Sequence, residues 1–364
     1  MRKGGGQDRV NYEIAFETLR RGHQVILIAN SLSQDLREHR EVEWICIPVR
    51  GGVARIIHEI LFAWRSAHWI WKNRREVDLV LVNGSNTWAA ADINMVHFVH
   101  SVFLKSAGYP KKSRLTFDEL YHKLYTGLNA YLERWAFRRS KAVVAVSKKI
   151  KGELVNIGVP EEKISVIVNG VDLSEFYPGP ADRAKLGLPE GVPLAVFAGD
   201  IQIPRKNLET VLYALVRVPE LNLAVIGHVK KQRYPDLVAQ LGLERRVHFL
   251  GYRRDIANIM RAADIFVFPS RYEAFGLVLL EALASGLPIV TASSTGGAEI
   301  ITDKCGIIVH DPDDVEALAN ALKTLVNDPS RREKMSISAR GLAEQYSWHR
   351  TTQEYMHLFE RSIA

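Results

Sequence analysis

Cysteine is scarce: Cys46 and Cys305 are the only two, far apart and without C-x-x-C spacing, which excludes a disulfide framework and outlines no zinc site. Long hydrophobic runs are missing as well. No stretch of about 18 successive apolar residues occurs, and no signal-peptide core stands near the start, so a cytoplasmic location is expected. Glycine (25) and proline (14) are too few for a collagen-like or low-complexity chain. Zinc-finger spacing, an RNA-binding signature and a helix-turn-helix are absent, so nucleic acid is not the expected partner. What is present is a globular composition, 47% hydrophobic and 24% charged, over 364 residues, a length that exceeds one core and suits two domains. The net charge of +7 is lopsided: residues 1–178 carry 26 basic and 19 acidic side chains, whereas residues 179–364 carry 22 of each. The two halves therefore meet different partners, the first an anionic surface or acceptor.

Apolar or β-branched runs alternate with amphipathic helical stretches. In the first half the expected strands are 25–29, 44–48, 79–83, 94–99, 142–146 and 164–168; in the second, 194–198, 223–226, 247–250, 265–268, 288–291 and 306–309. Continuous apolar runs each followed by a helix are the pattern of parallel strands buried on both faces, in βαβ units. Tyr177-Pro178-Gly179-Pro180 can continue neither helix nor sheet and marks the linker. The expected division is 1–178, 179–345 and a C-terminal helix, 346–364, that returns to the first domain. Gly4-Gly5-Gly6 opens a helix over 7–21 with Val10, Ile14 and Leu19 on its apolar face, yet only Met1-Arg2-Lys3 precede it. The first strand is thus expected to be missing, through a mis-set or truncated N-terminus.

Four constellations carry chemistry. In the segment from Asp264 to Gly286, a strand ends at Pro269, a loop bears Glu273, and a helix is expected to start near Phe275 and to carry Glu281 two turns on. Ligands bind at such carboxyl strand ends, and the N–H groups of Phe275, Gly276 and Leu277 would point at an anion with the helix dipole behind them. Glu281 interrupts the apolar run 277–283, where an acid needs a partner or a ligand. Arg205-Lys206, after the strand 194–198 and the turn Gly199-Asp200, can neutralise a diphosphate, Arg bidentately and Lys as a point charge. Gly4-Gly5-Gly6 lets backbone approach a phosphate closely. His97 and His100 come at a strand end; His100, the terminal one, is preferred for contacting a sugar hydroxyl or phosphate. Asp311-Pro312-Asp313-Asp314 is D-x-D in form, but it precedes the helix expected over 315–326 and is read as a cap. The stretch from Arg55 to Arg75, with Ile56, Ile57, Trp64, Trp69, Trp71, Lys72 and Arg74, interleaves aromatics with cations as interfacial helices do, and Lys105, Lys111, Lys112 and Arg114 extend it. An ordinary amphipathic helix packed on the sheet has the same pattern.

Glu273 and Glu281 form the E-x7-E motif, and the chain resembles the retaining glycosyltransferases of the GT4 type. The resemblance extends to Gly4–Val25 with its Arg-Gly-His-x-Val ending, to 143–147 and 168–176, to Arg205-Lys206-Asn207 and to Thr295-Gly296-Gly297-Ala298-Glu299. It implies the GT-B fold, an α/β architecture of two Rossmann-like doubly wound domains facing across a cleft. It implies that Arg205 and Lys206 hold the donor diphosphate, Glu281 the ribose, and Glu273 the transferred sugar, with Gly199, Ala274, Phe275, Gly276 and Leu277 lining the donor site. His100 would lie near the anomeric carbon and Gly4–Gly6 near the diphosphate. His228 departs from the family pattern at the donor-base position, as does the missing first strand.

The expected function is retaining transfer of a sugar from a UDP- or GDP-sugar to a hydroxyl acceptor, in polysaccharide, lipopolysaccharide or glycolipid synthesis, with neither metal nor other cofactor. His100, Glu273, Arg205 and Lys206 are the expected catalytic set. Arg205, Lys206 and the helix N-terminus would stabilise the departing diphosphate, which would itself take the acceptor's proton. The alternatives are a nucleotide-sugar epimerase of the same fold, using cleft carboxylates as acid and base, and a non-catalytic basic module. The expected partners are the donor, a sugar, glycan or glycolipid acceptor, and a peripheral contact of the basic half with the inner face of a membrane.

Overall fold

Apolar runs too short for helices become strands here, and the computed structural model describes them all; it describes residues 1–364 except 2–5, 49–54, 107, 110–116, 203, 229–232 and 364. The strands are β1 (Val25–Ala29), β2 (Val42–Cys46), β3 (Leu81–Asn83), β4 (Ile93–Val96), β5 (Ala142–Ala145) and β6 (Ile164–Val166). They continue as β7 (Leu194–Ala198), β8 (Asn222–Ile226), β9 (Val247–Gly251), β10 (Ile265–Phe268), β11 (Ile289–Ala292) and β12 (Gly306–Val309). Two compact units contain them: unit 1 is Met1–Leu104, Lys112–Gly170 and Trp348–Ala364, and unit 2 is Lys105–Lys111 and Val171–Ser347.

Unit 2 holds one six-stranded parallel sheet in the order β12-β11-β10-β7-β8-β9. Every residue of β7, β8, β10 and β11 is buried, as expected of runs with no polar face. Val196, Phe197, Phe266 and Val267 are fully buried, each worth about 1.5–3 kcal/mol of transfer free energy. The chain leaves β7 for β8 and then β9 on one side, and returns to lay β10 on the other side of β7. That reversal is the topological switch point of a doubly wound sheet, the place where ligands bind.

In unit 1, β1 and β2 form a parallel pair, and β3-β4-β5-β6 form a second parallel sheet. The helix Gly6–Arg20 buries Val10, Ile14 and Leu19, the face its spacing assigns. Four strands differ from expectation by two residues or more: β3 starts at Leu81 rather than 79, β6 ends at Val166 rather than 168, and the other two have a cause in the pairing. β2 begins at Val42 and ends before Ile47-Pro48, because its register with β1 pairs Val25 with Val42 and Ala29 with Cys46. β4 ends at Val96, since β5 pairs only with residues 93–96, and the chain turns away through His97 into the short helix His100–Phe103. The last helix, Trp348–Ile363, is tied to the rest of unit 1 by Thr351 Oγ1 donating to Val168 O (3.0 Å) and by Arg21 donating to Glu360 (3.0 Å).

Candidate functional site

The switch point fills with charge. Arg205 and Lys206 lie in a 3-10 turn, Pro204–Lys206, directly after β7, and Glu273 lies in the loop after the neighbouring β10. Arg205 Nη1 donates to Glu273 Oε2 at 2.8 Å, and Lys206 Nζ donates to the same oxygen. The three side chains are only 12–16% exposed. Local bonds hold the two loops in register: the Ser270 hydroxyl and the Arg271 N–H both donate to Arg205 O, at 2.9 and 2.7 Å, and Arg205 Nη1 also donates to Tyr272 O at 2.9 Å. The Lys206 ammonium stands 4.9 Å from the centre of the Phe268 ring, a cation–π contact at the end of β10. Gly199, at the end of β7, flanks the Lys206 alkyl chain.

Burial lowers the Lys206 pKa below the ordinary lysine value, with Arg205 adding to the shift and Glu273 opposing it. Burial pushes Glu273 upward, but Lys206 and Arg205 outweigh it and hold the carboxyl below its usual range. The outcome is one ionised carboxylate beneath two cations, a net positive site at the carboxyl edge of the sheet.

The helix after Glu273 runs Leu277–Ala284, two residues later than expected. The reason is Gly276, whose φ of +91° is left-handed and ends the possibility of an earlier first turn. Among the described residues the N–H groups of Phe275, Gly276 and Leu277 have no acceptor, as is normal at a helix start. Glu281 lies on this helix, half-buried, its carbonyl accepting from Ser285. The loop Thr295–Glu299 is stitched beneath: Gly296 N–H donates to Glu273 O (2.9 Å) and Gly297 N–H to Phe275 O (2.8 Å). A Cβ at Gly297 would stand 2.7 Å from Phe275 O, so only glycine permits this approach.

Asp311–Asp314 is structural, in line with the capping reading. Asp314 accepts from Ala317 N–H (2.9 Å) at the start of the helix Val315–Asn327, and Asp313 takes Arg271 Nε (2.7 Å). Among the described residues no group of three or more His, Cys, Asp or Glu is placed to hold a metal.

In unit 1, His100 begins the short helix His100–Phe103, with its Nδ1 2.9 Å from Glu133 Oε2 and its ring edge-on to Phe98. His97 is half-buried with its Nε2 shut away from solvent, and this desolvation lowers its pKa to about 4. Gly4 and Gly5 lie outside the described residues, as do Lys111, Lys112 and Arg114; Gly6 opens the first helix. A cavity of about 340 Å³ sits at the ends of β1 and β3, lined by Asn30, Ser85, Asn86, Glu59 and Trp88 among others. On the helix Arg55–Asn73, Ile57, Leu61, Trp64 and Trp71 are exposed along one stripe, and Leu120, Leu124 and Tyr131 are exposed on the helix Phe117–Arg139. Two residues of the expected interfacial face are structural instead. Arg74 is bound by the buried Asp92 at 2.9 Å, and Trp69 packs on the core around Ala67 and Ile70.

Reasoning along the chain missed three residues at these places. Glu133 stands 33 positions from His100 and shares no motif with it. Gly108 belongs to the segment grouped with unit 2, and a Cβ there would meet Arg205 Cβ at 3.3 Å and Tyr272 Cβ at 3.2 Å. Tyr252, after β9, stacks on His228, after β8, at 5.1 Å and 6°. No local sequence signal marks the first two; an aromatic after each of two adjacent strands was the available hint for the third.

Residues 4–175 match the family described as Glycosyltransferase Family 4, and residues 179–342 match Glycosyl transferases group 1. Together the two matches place the chain in this glycosyltransferase family. A D-inositol 3-phosphate glycosyltransferase of Corynebacterium kroppenstedtii is 35% identical over 225 residues, 56% of this chain and 49% of that protein. This chain spans about half the length of that relative and of its namesake from Rhodococcus jostii (52%). The lipopolysaccharide glucosyltransferase WaaG of Escherichia coli K12 is 27% identical over 355 residues, covering 93% of this chain and 91% of WaaG. Among solved structures, sucrose-phosphate synthase from Thermosynechococcus elongatus superposes with a TM-score of 0.83 at 21% identity, over 98% of this chain and 93% of that one. Anabaena HepE in complex with UDP and glucose gives 0.73 at 21%, over 98% and 96%. The fold of this family 4 chain is therefore GT-B. Its E-x7-E segment lies within the group 1 match, and His100 and Glu133 within the family 4 match.

Proposed function

We propose that this chain transfers a sugar from a nucleoside-diphosphate sugar to a hydroxyl acceptor, with retention of anomeric configuration and without a metal. The observation that carries this reading is the pairing of Arg205 and Lys206 with Glu273 at the switch point of β7 and β10. Negative charge grows on the leaving diphosphate as the glycosidic bond breaks. Two buried cations and the start of the helix Leu277–Ala284 are fixed groups of the right sign, stabilising that charge without reorganisation. The Glu273 carboxylate, held in place by both cations, accepts hydrogen bonds from hydroxyls of the transferred sugar, and Glu281 accepts those of the ribose. The stacked His228–Tyr252 pair offers a flat face to the base. With no protein nucleophile, the departing phosphate oxygen takes the acceptor's proton as the hydroxyl attacks from the same face.

The acceptor reading draws on unit 1. The cavity lined by amides, Glu59 and Trp88 has the mixed polar and aromatic character of a sugar seat. The exposed stripe Ile57, Leu61, Trp64 and Trp71, in the basic half, suits a membrane surface carrying a glycolipid acceptor. WaaG, named for lipopolysaccharide, supports that class of acceptor. Among the described residues no helix is long and apolar enough to cross a membrane, so this contact would be peripheral.

Calorimetry with UDP-glucose and GDP-mannose tests the donor assignment; binding is expected, lost in Arg205→Ala/Lys206→Ala. NMR of the glycoside formed is expected to show the anomeric configuration of the donor. Absence of binding by either donor sinks the donor site, and an inverted product sinks the mechanism. Epimerised donor recovered without acceptor would favour the epimerase.

A further inference from the structure

One buried carboxylate holds the end of the β4 connection. Glu133, on the helix Phe117–Arg139, is 2% exposed, and its two oxygens receive four groups. Oε2 accepts the His100 N–H at 2.9 Å and lies 2.9 Å from His100 Nδ1. Oε1 accepts the Ser101 N–H at 2.9 Å and the Ser101 hydroxyl at 2.8 Å. A carboxylate has about four lone-pair sites and no proton to give, and here all four are taken. The neutral imidazole must then carry its proton on Nδ1, leaving the Nε2 lone pair as an acceptor. Backbone and ring of the same residue are gripped by the same group, so the ring's position and its tautomer are set together. His100 keeps 27% of its side chain exposed, and its ring is braced by Phe98 at 4.8 Å.

We propose that Glu133 is a positioning residue that locks His100 in the Nδ1–H tautomer, so that Nε2 accepts a hydrogen bond from a sugar hydroxyl. This rests on the reading of His100 as a site residue. A helix cap alone accounts for the two N–H contacts and the Ser101 hydroxyl, but not for the ring nitrogen on the same oxygen. Exchange of the acid for its amide probes this grip. In Glu133→Gln the amide oxygen accepts from Ser101, whereas the NH2 group takes the place of Oε2, donates to Nδ1, drives the ring proton to Nε2 and leaves the His100 N–H without its acceptor. A His100→Ala background, which keeps that N–H, separates the backbone loss from the ring effect. The outward group then becomes a donor where the sugar hydroxyl needs an acceptor.

Nitrogen-15 NMR of the histidine side chains, with the His100 signals identified by their loss in His100→Gln, reads the tautomer directly. The wild-type spectrum is expected to show an unprotonated Nε2, and Glu133→Gln a protonated one. In turnover with UDP-glucose or GDP-mannose, Glu133→Gln is expected to lower kcat by about 10–100-fold, the usual cost of losing an orienting outer group, with little change in donor KM. The same change in a His100→Ala background is expected to lower kcat by less than about threefold, because the effect passes through the ring. A wild-type Nε2 that carries the proton overturns the proposal even if the variant fails to fold. So does an equal loss of kcat with and without His100, which marks Glu133 as a cap only. Wild-type turnover by His100→Ala would instead remove His100 from the site, while the spectrum still reports whether Glu133 sets its tautomer.

Discussion

The two units handle their polar residues in opposite ways. Unit 2 wraps a neutral half of the sequence around strands buried on both faces, and concentrates ions at one sheet edge, where Glu273 pairs with both Arg205 and Lys206 and leaves the cluster net positive. Unit 1 carries the charge excess, has half-buried strands β1, β2 and β3, and leaves an apolar stripe on its surface. Its polar candidate, His100, is held by a single acid from a distant helix. The contrast teaches that a site of converging charges needs a dry, rigid sheet edge, where a low local dielectric makes each ion count. A surface that meets a partner instead needs exposed apolar area and spare charge.

Removing a cation from unit 2 should have the largest effect. Lys206→Ala is expected to lower kcat by about 10²–10³-fold at saturating donor, the cost of deleting one group that stabilises developing charge. Unchanged turnover would end the assignment. Since burial already lowers the Lys206 pKa, UDP binding by the wild type is expected to take up protons on the alkaline side, seen by calorimetry in buffers of different ionisation enthalpy. Lys206→Ala should lose that uptake.

Next in size is an acid effect that His97 contributes from unit 1. His97 has its pKa lowered by burial from 6.5 to about 4. Between those values only the unfolded chain takes the proton, so stability falls as the pH drops from 6.5 and the loss levels off near 4. The whole change is about 3 kcal/mol, from roughly 1.4 kcal/mol per pKa unit. Denaturant unfolding of wild type and His97→Asn across this range checks it; equal slopes would show that His97 is not the group responsible.

The smallest effect concerns the stripe. Trp64→Ser with Leu61→Ser is expected to weaken binding to vesicles rich in anionic lipid by about tenfold, from lost apolar burial. Flotation at low salt measures this, and unaltered partition would leave the stripe without a membrane role.

Much of the fold was legible in the residues because apolar runs and helical periods are local signals. All twelve strands fall within a few residues of expectation; β2 shifts for a tertiary reason, to match the register of β1, whereas the helix after Glu273 starts late for a local one, the left-handed Gly276. At the site, Arg205, Lys206 and Glu273 were visible as loop residues after strands, but their sharing of one oxygen was not, since β7 and β10 become neighbours only through the strand order. Arg74 and Trp69 looked interfacial by type, but the pairing of Arg74 with the buried Asp92 and the packing of the half-buried Trp69 against the Ala67–Ile70 cluster tie both to the unit itself.

Continuous apolar runs alternating with helical stretches, a one-sided charge excess and the E-x7-E spacing determined the class of sheet, the family and the acids and bases worth watching. Which of those groups touch was decided by the folded chain alone. Strand order places residues 67 and 68 positions apart on one ion cluster, and helix packing brings Glu133 to His100. The physical reason is range: propensity and periodicity act over a few residues, whereas a hydrogen bond between loops depends on which strands share a sheet edge.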